Sequence, residues 1–188
     1  MSRKLFFILG LITILGFSSI GAIIIEIVLD KPFLSVFEHE TAWYLQVILG
    51  LFYGLLTGWI AWQIVKSDLL TPVRSFFAEL IQDLFLKYHE IVFISFCAGV
   101  GEEILFRGAI QPLIGIWITA ILFVALHGYI NPFNWRLSIY GIVMCLFIAG
   151  LGLMCEQIGL ISAISAHFAI DVVLLLALTR YKGHNIVN

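Results

Sequence analysis

The sequence predicts an all-α membrane protein, a bundle of about six transmembrane helices with one interfacial amphipathic helix. Three observations predict it. Of the 188 residues, 62% are hydrophobic and only 12% are charged, against about 25% charged in an average soluble domain. Mean hydropathy is +1.08, so the chain lacks the polar groups to cover a water-facing surface and its solvent is lipid. The apolar residues also gather into runs near the ~20 residues that a helix needs to cross ~30 Å of hydrocarbon, apart from one segment with the periodicity of a surface helix.

The elements follow in order along the chain. Span 1 covers about Leu5–Leu29. Arg3 and Lys4 ahead of an apolar run also fit a signal peptide, and Ser19-Ile20-Gly21 offers small residues for cleavage. The run continues unbroken to Leu29, which favours an uncleaved span. Span 2 covers about Ala42–Val65, with Trp43, Tyr44, Trp59 and Trp62 near its ends as interfacial anchors. Next, Thr71-Pro72 reads as an N-cap followed by proline at the first helical position. Val73, Phe76, Phe77, Leu80, Ile81, Leu84, Phe85 and Tyr88 then recur at helical spacing, with Arg74, Glu79, Asp83 and Lys87 on the other face. That pattern fits a helix lying in the membrane interface, and packing against other protein is the alternative. Spans 3 to 6 fall at about His89–Ile114, Ile116–Ile130, Leu137–Cys155 and Leu160–Thr179, with Gly115 and Gly159 as turns. The chain reads as one domain over 1–188, with no internal repeat, low-complexity tract or flexible linker.

Net charge is −2 and no basic block occurs, which excludes a nucleic-acid partner. The three cysteines, Cys97, Cys145 and Cys155, lie in apolar runs without CxxC spacing and read as core residues. With the N-terminus in the cytoplasm, Arg3, Lys4, Lys66, Arg74, Lys87, Arg136, Arg180 and Lys182 all fall on the cytoplasmic side and Lys31 outside. Both termini are therefore expected in the cytoplasm, and the membrane is expected to be the plasma membrane.

Ionisable residues inside spans are functional candidates, because hydrocarbon penalises them by several kcal/mol each. Span 3 holds Gly101-Glu102-Glu103-Ile104-Leu105-Phe106-Arg107-Gly108, span 4 holds Phe123 and His127, and span 6 holds His167 and Asp171. Glu103 and Arg107 stand at i and i+4 with Glu first, the favourable order for an ion pair, so Glu103 reads as structural. Glu102 points about 100° away and reads as the free carboxylate. His167 and Asp171 share a face at the same spacing. Counted from the turns at Gly115 and Gly159, Glu102, His127, His167 and Asp171 fall at similar depth. A lone membrane histidine often only bonds across helices, but four such groups at one depth point to a common site. His39, His89 and His184 read as ordinary interfacial residues, Glu26 and Glu156 as reaching headgroups or water, and the remaining span glycines as close-packing positions.

These residues resemble the CPBP family of intramembrane endopeptidases, which includes CAAX proteases and bacteriocin-processing enzymes and is also called Abi. Its members share EExxxR, then FxxxH, then HxxxN or HxxxD, on separate membrane helices. Here the motifs are Glu102-Glu103 with Arg107, Phe123 with His127, and His167 with Asp171, and the resemblance covers about Ile91–Thr179. It implies a helical bundle and a peptidase. By position, Glu102 looks like the general base that activates water, His127 like the residue that holds this water, and His167 and Asp171 like stabilisers of the oxyanion. Glu103 and Arg107 match the family's ion pair. The eukaryotic CAAX enzymes carry Asn where this chain has Asp171, and a carboxylate cannot donate to an oxyanion unless protonated, which leaves Asp171 three readings: a neutral acid, a group that orients His167, or a metal ligand.

The expected activity is therefore endopeptidase cleavage of a membrane-associated protein or peptide. No cofactor is favoured, and a glutamate-type mechanism is preferred to a metalloprotease. Glu102, His127 and His167 are the alternative zinc set. Two other functions remain open, a non-cleaving immunity or scaffold protein of the same family and, less favoured, an ion-coupled transporter.

Overall fold

The computed structural model describes residues 2–181, so the expectations for Lys182 and His184 lie outside the described residues. Within them all regular structure is helical. The first apolar helix, Arg3–Val28, comprises α1 (Arg3–Ile12), α2 (Ser18–Ile23) and the π-helical turns Thr13–Phe17 and Ile24–Val28. It is followed by α3 (Trp43–Val65), α4 (Thr71–Gln82), α5 (Tyr88–Glu103), a π-helical segment Ile104–Ile110, α6 (Gln111–Leu126), α7 (Trp135–Gln157) and α8 (Leu160–Arg180).

Five helices are long and apolar enough to cross a membrane, and one of these is the continuous stretch Tyr88–Leu126. That stretch makes two passes. A straight helix would separate Glu102 from His127 by roughly 37 Å, yet their side chains meet at 3.4 Å. The reversal occurs at Gly115, whose φ of +79° is a conformation open to glycine without a Cβ clash. Gly159, at φ +120°, makes the corresponding turn between α7 and α8.

Close approach of α3 to α8 holds the bundle together. On α3, Gly50, Gly54 and Gly58 form one face, spaced four residues apart. A Cβ at Gly50 would lie 2.3 Å from the Ser162 carbonyl oxygen, and one at Gly54 would lie 2.2 Å from that of Ala166. The first helix meets the motif-bearing α5 in the same way, since a Cβ at Gly101 would lie 2.2 Å from the Thr13 carbonyl oxygen. Between these contacts lies a core that includes Phe106, Phe123, Val124, Ile148, Leu151 and Ile170. Large apolar side chains such as Leu15, Ile27, Phe52, Trp117 and Ile142 remain exposed on the outside, as lipid-facing residues do.

The structure corrects the reading of the amphipathic segment in three respects. Thr71 is not the N-cap; a 3-10 turn, Asp68–Leu70, runs straight into α4, and the Thr71 hydroxyl instead accepts from Arg74 Nη2 at 3.2 Å. The helix ends at Gln82 rather than continuing to Tyr88, and Phe85 takes φ +48° in the turn to α5. Arg74 is buried rather than solvent-facing, because its Nη1 donates to the Val65 carbonyl at 3.1 Å and its guanidinium lies over the Tyr181 ring. Val73, Ala78 and Ile81 pack inward while Phe76 faces out, so the helix rests on protein with an outward apolar edge. Span 4 is also shorter than Ile116–Ile130, since α6 stops at Leu126 with His127 as its C-cap.

Candidate active site

Three helices bring the candidate residues together. Glu102 and Glu103 close α5, directly before the π-helical segment Ile104–Ile110 that carries Arg107. Local widening of this kind is frequent at functional sites. His127 terminates α6, and His167 and Asp171 lie on inner turns of α8.

The two adjacent glutamates have different surroundings. Glu103 is fully buried. Its Oε2 lies 3.2 Å from Arg107 Nε, and its Oε1 accepts from His167 Nδ1 at 2.8 Å. The structure therefore contains the i, i+4 ion pair and adds a partner from α8. Arg107 also donates to the Ile148 carbonyl at 3.3 Å, tying α7 to the same centre. Glu102 instead lies on a cavity wall, with Oε2 3.4 Å from His127 Nε2.

Hydrogen bonding sets the histidine tautomers. His127 Nδ1 lies 2.8 Å from the Phe123 carbonyl oxygen, which can only accept, so Nδ1 carries the hydrogen. Neutral His127 thus turns the Nε2 lone pair toward Glu102. His167 gives its Nδ1 hydrogen to Glu103, and its Nε2 faces Asp171 Oδ2 at 3.7 Å.

Phe123 organises the group. Its ring stacks on His127 with centroids 4.3 Å apart, meets His167 edge-on at 5.6 Å, and receives the Arg107 guanidinium at 5.4 Å from its centroid. In the sequence Phe123 stands out only as a motif position; in the structure it packs at the junction of three helices. Tyr129, which belongs to none of the sequence motifs, follows the same helix end and stacks on His127, with ring centroids 6.0 Å apart.

A cavity of about 340 Å³ contains Glu102, His127, His167 and Asp171 in its wall. It passes Tyr129 and Tyr140 and runs toward Val65, Arg74 and Leu178, at the ends of α3 and α8 and the start of α4. The early stop of α6 helps make this space, and non-helical backbone at such depth is tolerated where it lines a cavity.

Glu102, His127 and His167 do not fit a zinc site as placed. His167 directs both ring nitrogens at carboxylates other than Glu102. Among the described residues no three His, Cys, Asp or Glu side chains are grouped to hold a metal ion.

Comparison with known proteins agrees with the motif resemblance. Residues 84–173 match the family model described as type II CAAX prenyl endopeptidase Rce1-like. The chain is also 40% identical over 85 residues to an uncharacterized protein, YpbD, of Bacillus subtilis (strain 168), an alignment that takes in 44% of this chain and 42% of that protein. It thus spans less than half of that relative's length. No solved structure matches.

Proposed function

We propose, from the Rce1-like domain over residues 84–173, that this chain is an intramembrane endopeptidase of glutamate type. Its substrate is a membrane-associated protein or peptide. The observation that carries this reading is the Glu102–His127 pair on the cavity wall, which with His127 neutral is two acceptors facing each other at 3.4 Å. Such a pair calls for a hydrogen donor, and a water directing its two O–H bonds at Glu102 and Nε2 of His127 satisfies both.

The reaction follows from that placement. Glu102 takes a proton from the water, and the water oxygen bonds to the carbonyl carbon of the substrate. The carbonyl π pair moves onto its oxygen as a negative charge. When the C–N bond breaks, Glu102 returns the proton to the leaving nitrogen. Glu103, held by Arg107, fixes the ring of His167, and His167 and Asp171 line the far side of the reacting group. The mechanism is written without a metal, because among the described residues no three His, Cys, Asp or Glu side chains are grouped to hold one.

The cavity runs toward the ends of helices that carry Lys66, Arg74 and Arg180. With both termini in the cytoplasm and the protein in the plasma membrane, substrate enters from the cytoplasmic side.

The test is cleavage of a quenched fluorescent peptide library by purified protein, with Glu102→Gln as control and a strong chelator in one arm. Activity that survives chelation and disappears in Glu102→Gln is the expected result. Loss on chelation with recovery on adding zinc would move His127 and His167 to ligand roles. No cleavage by the wild-type protein would favour the immunity or scaffold function.

A further inference from the structure

Hydrolysis of a peptide bond places negative charge on the former carbonyl oxygen, and this charge needs hydrogen-bond donors already in position. The motif residues supply few. Ionised Glu102 and Asp171 only accept. His127 spends its N–H on the Phe123 carbonyl, and His167 spends one on Glu103 while its other nitrogen faces Asp171. Of the remaining donors on the cavity wall, Arg74 is engaged by the Val65 carbonyl and the Thr71 hydroxyl, and Trp62 lies near the same end of α3. Two hydroxyls are left on the cavity wall, those of Tyr129 and Tyr140. The hydroxyls of Tyr53 and Tyr88 are bonded to the Phe147 carbonyl and to Arg180. Among the described residues neither Tyr129 nor Tyr140 has such a partner.

Local structure favours Tyr129 of these two. The end of α6 is a Schellman motif, with Gly128 N–H donating to the Ala125 carbonyl at 2.9 Å and Tyr129 N–H to that of Val124 at 3.2 Å. Gly128 supplies the positive φ, +75°, that the motif requires. The chain thereby folds back and lays the Tyr129 ring nearly parallel to that of His127, with Tyr140 edge-on behind it at 5.3 Å. Tyr129 lies beyond the end of α6, and burial, with Asp171 and Glu102 adding, pushes its hydroxyl up to about 12, so it keeps its proton.

We infer that Tyr129 is a further catalytic residue, whose hydroxyl donates to the oxyanion in the position that Asp171 cannot fill. The inference rests on the endopeptidase reading. As the carbonyl π pair moves onto oxygen, the Tyr129 O–H bonds to it; the hydrogen bond is released when the C–N bond breaks and the carbonyl re-forms, and the phenol stays protonated throughout.

Tyr129→Phe keeps the ring on His127 and removes only the hydroxyl. The expected result is a fall in kcat of about 10²–10³-fold at unchanged KM, unchanged thermal stability, and near-normal kcat in Tyr140→Phe. A second measurement needs no turnover. A peptide phosphinate, whose tetrahedral anion resembles the oxyanion, should bind wild type more tightly than Tyr129→Phe, while the parent peptide binds both alike. Normal kcat in Tyr129→Phe, a loss confined to KM, equal phosphinate binding, or a matching loss of thermal stability would each overturn the inference. If wild type cleaves, Glu102→Gln does not, and Tyr129→Phe matches wild type, this inference alone fails. If wild type cleaves nothing, the endopeptidase reading fails with it.

Discussion

Glu102 and Glu103 are neighbours in the chain and identical in chemistry, but their surroundings differ sharply. Glu103 is sealed from solvent between a guanidinium and an imidazole, each from a different segment. Glu102 lies one residue earlier, about 100° around the helix, against a cavity with a single histidine near it. Helix geometry alone gives the two carboxylates their different surroundings. A buried carboxylate with two cation-capable partners holds helices together, while one with a half-satisfied environment and access to space is free to exchange a proton.

The largest effect should come from breaking the open side. Glu102→Gln retains the shape of the side chain and removes its basicity, so cleavage should fall by about 10²–10⁴-fold or more with thermal unfolding unchanged. A variant that cleaves normally would show that the open carboxylate is not the base.

Breaking the closed side should instead read out as stability. Glu103→Gln leaves Arg107 buried without its counter-charge and weakens the bond to His167. Removing one partner of a buried pair destabilises by about 3–5 kcal/mol. The unfolding midpoint in detergent should drop and the folded yield with it. An unchanged midpoint with lost cleavage would mean that Glu103 acts mainly by setting the His167 ring.

The two glutamates also show what the sequence can reveal. Contacts within one helix were legible, because i, i+4 spacing fixes them, and Glu103–Arg107 and His167–Asp171 are both found as expected. The turns at Gly115 and Gly159 were legible because apolar runs of the right length surround them. The bond between Glu103 and His167 was not, since it spans 64 residues and depends on how α5 and α8 rotate against each other. The same holds for Arg74, whose partners are a helix-end carbonyl and a ring at the far end of the chain. The end of α4 was missed because Phe85 and Tyr88 maintain the helical period although the backbone has already turned. Tyr129 carried a weak signal, a glycine directly after His127, which marks a helix end and a reversal that returns the next side chain to the site.

The framework that keeps the two sides in register can be tested apart from the chemistry. Gly54→Leu would drive a side chain into the Ala166 carbonyl, where even a Cβ has only 2.2 Å. Overpacking of this kind destabilises by about 1–3 kcal/mol or more. Because α8 carries His167 and Asp171, cleavage should fall together with the unfolding midpoint. Loss of cleavage at full stability would point to a shift of α8 rather than to strain.

The smallest single effect is expected at the edge of the comparison, in Asp171→Asn. Asp171 is the most accessible carboxylate of the site apart from its contact with His167, at 29% side-chain exposure and 3.7 Å. Solvent screens such a pair, which limits its contribution to about 1 kcal/mol, or roughly fivefold in rate. The substitution also introduces the amide found at this position in eukaryotic CAAX enzymes, and an amide can donate to an oxyanion where a carboxylate cannot. The sharper experiment is therefore the double variant. If Tyr129 supplies the donor that Asp171 withholds, Asp171→Asn should restore part of the kcat lost in Tyr129→Phe, a non-additive cycle between two residues lining one cavity. Strictly additive losses would place the two side chains in separate roles and leave the oxyanion to another donor.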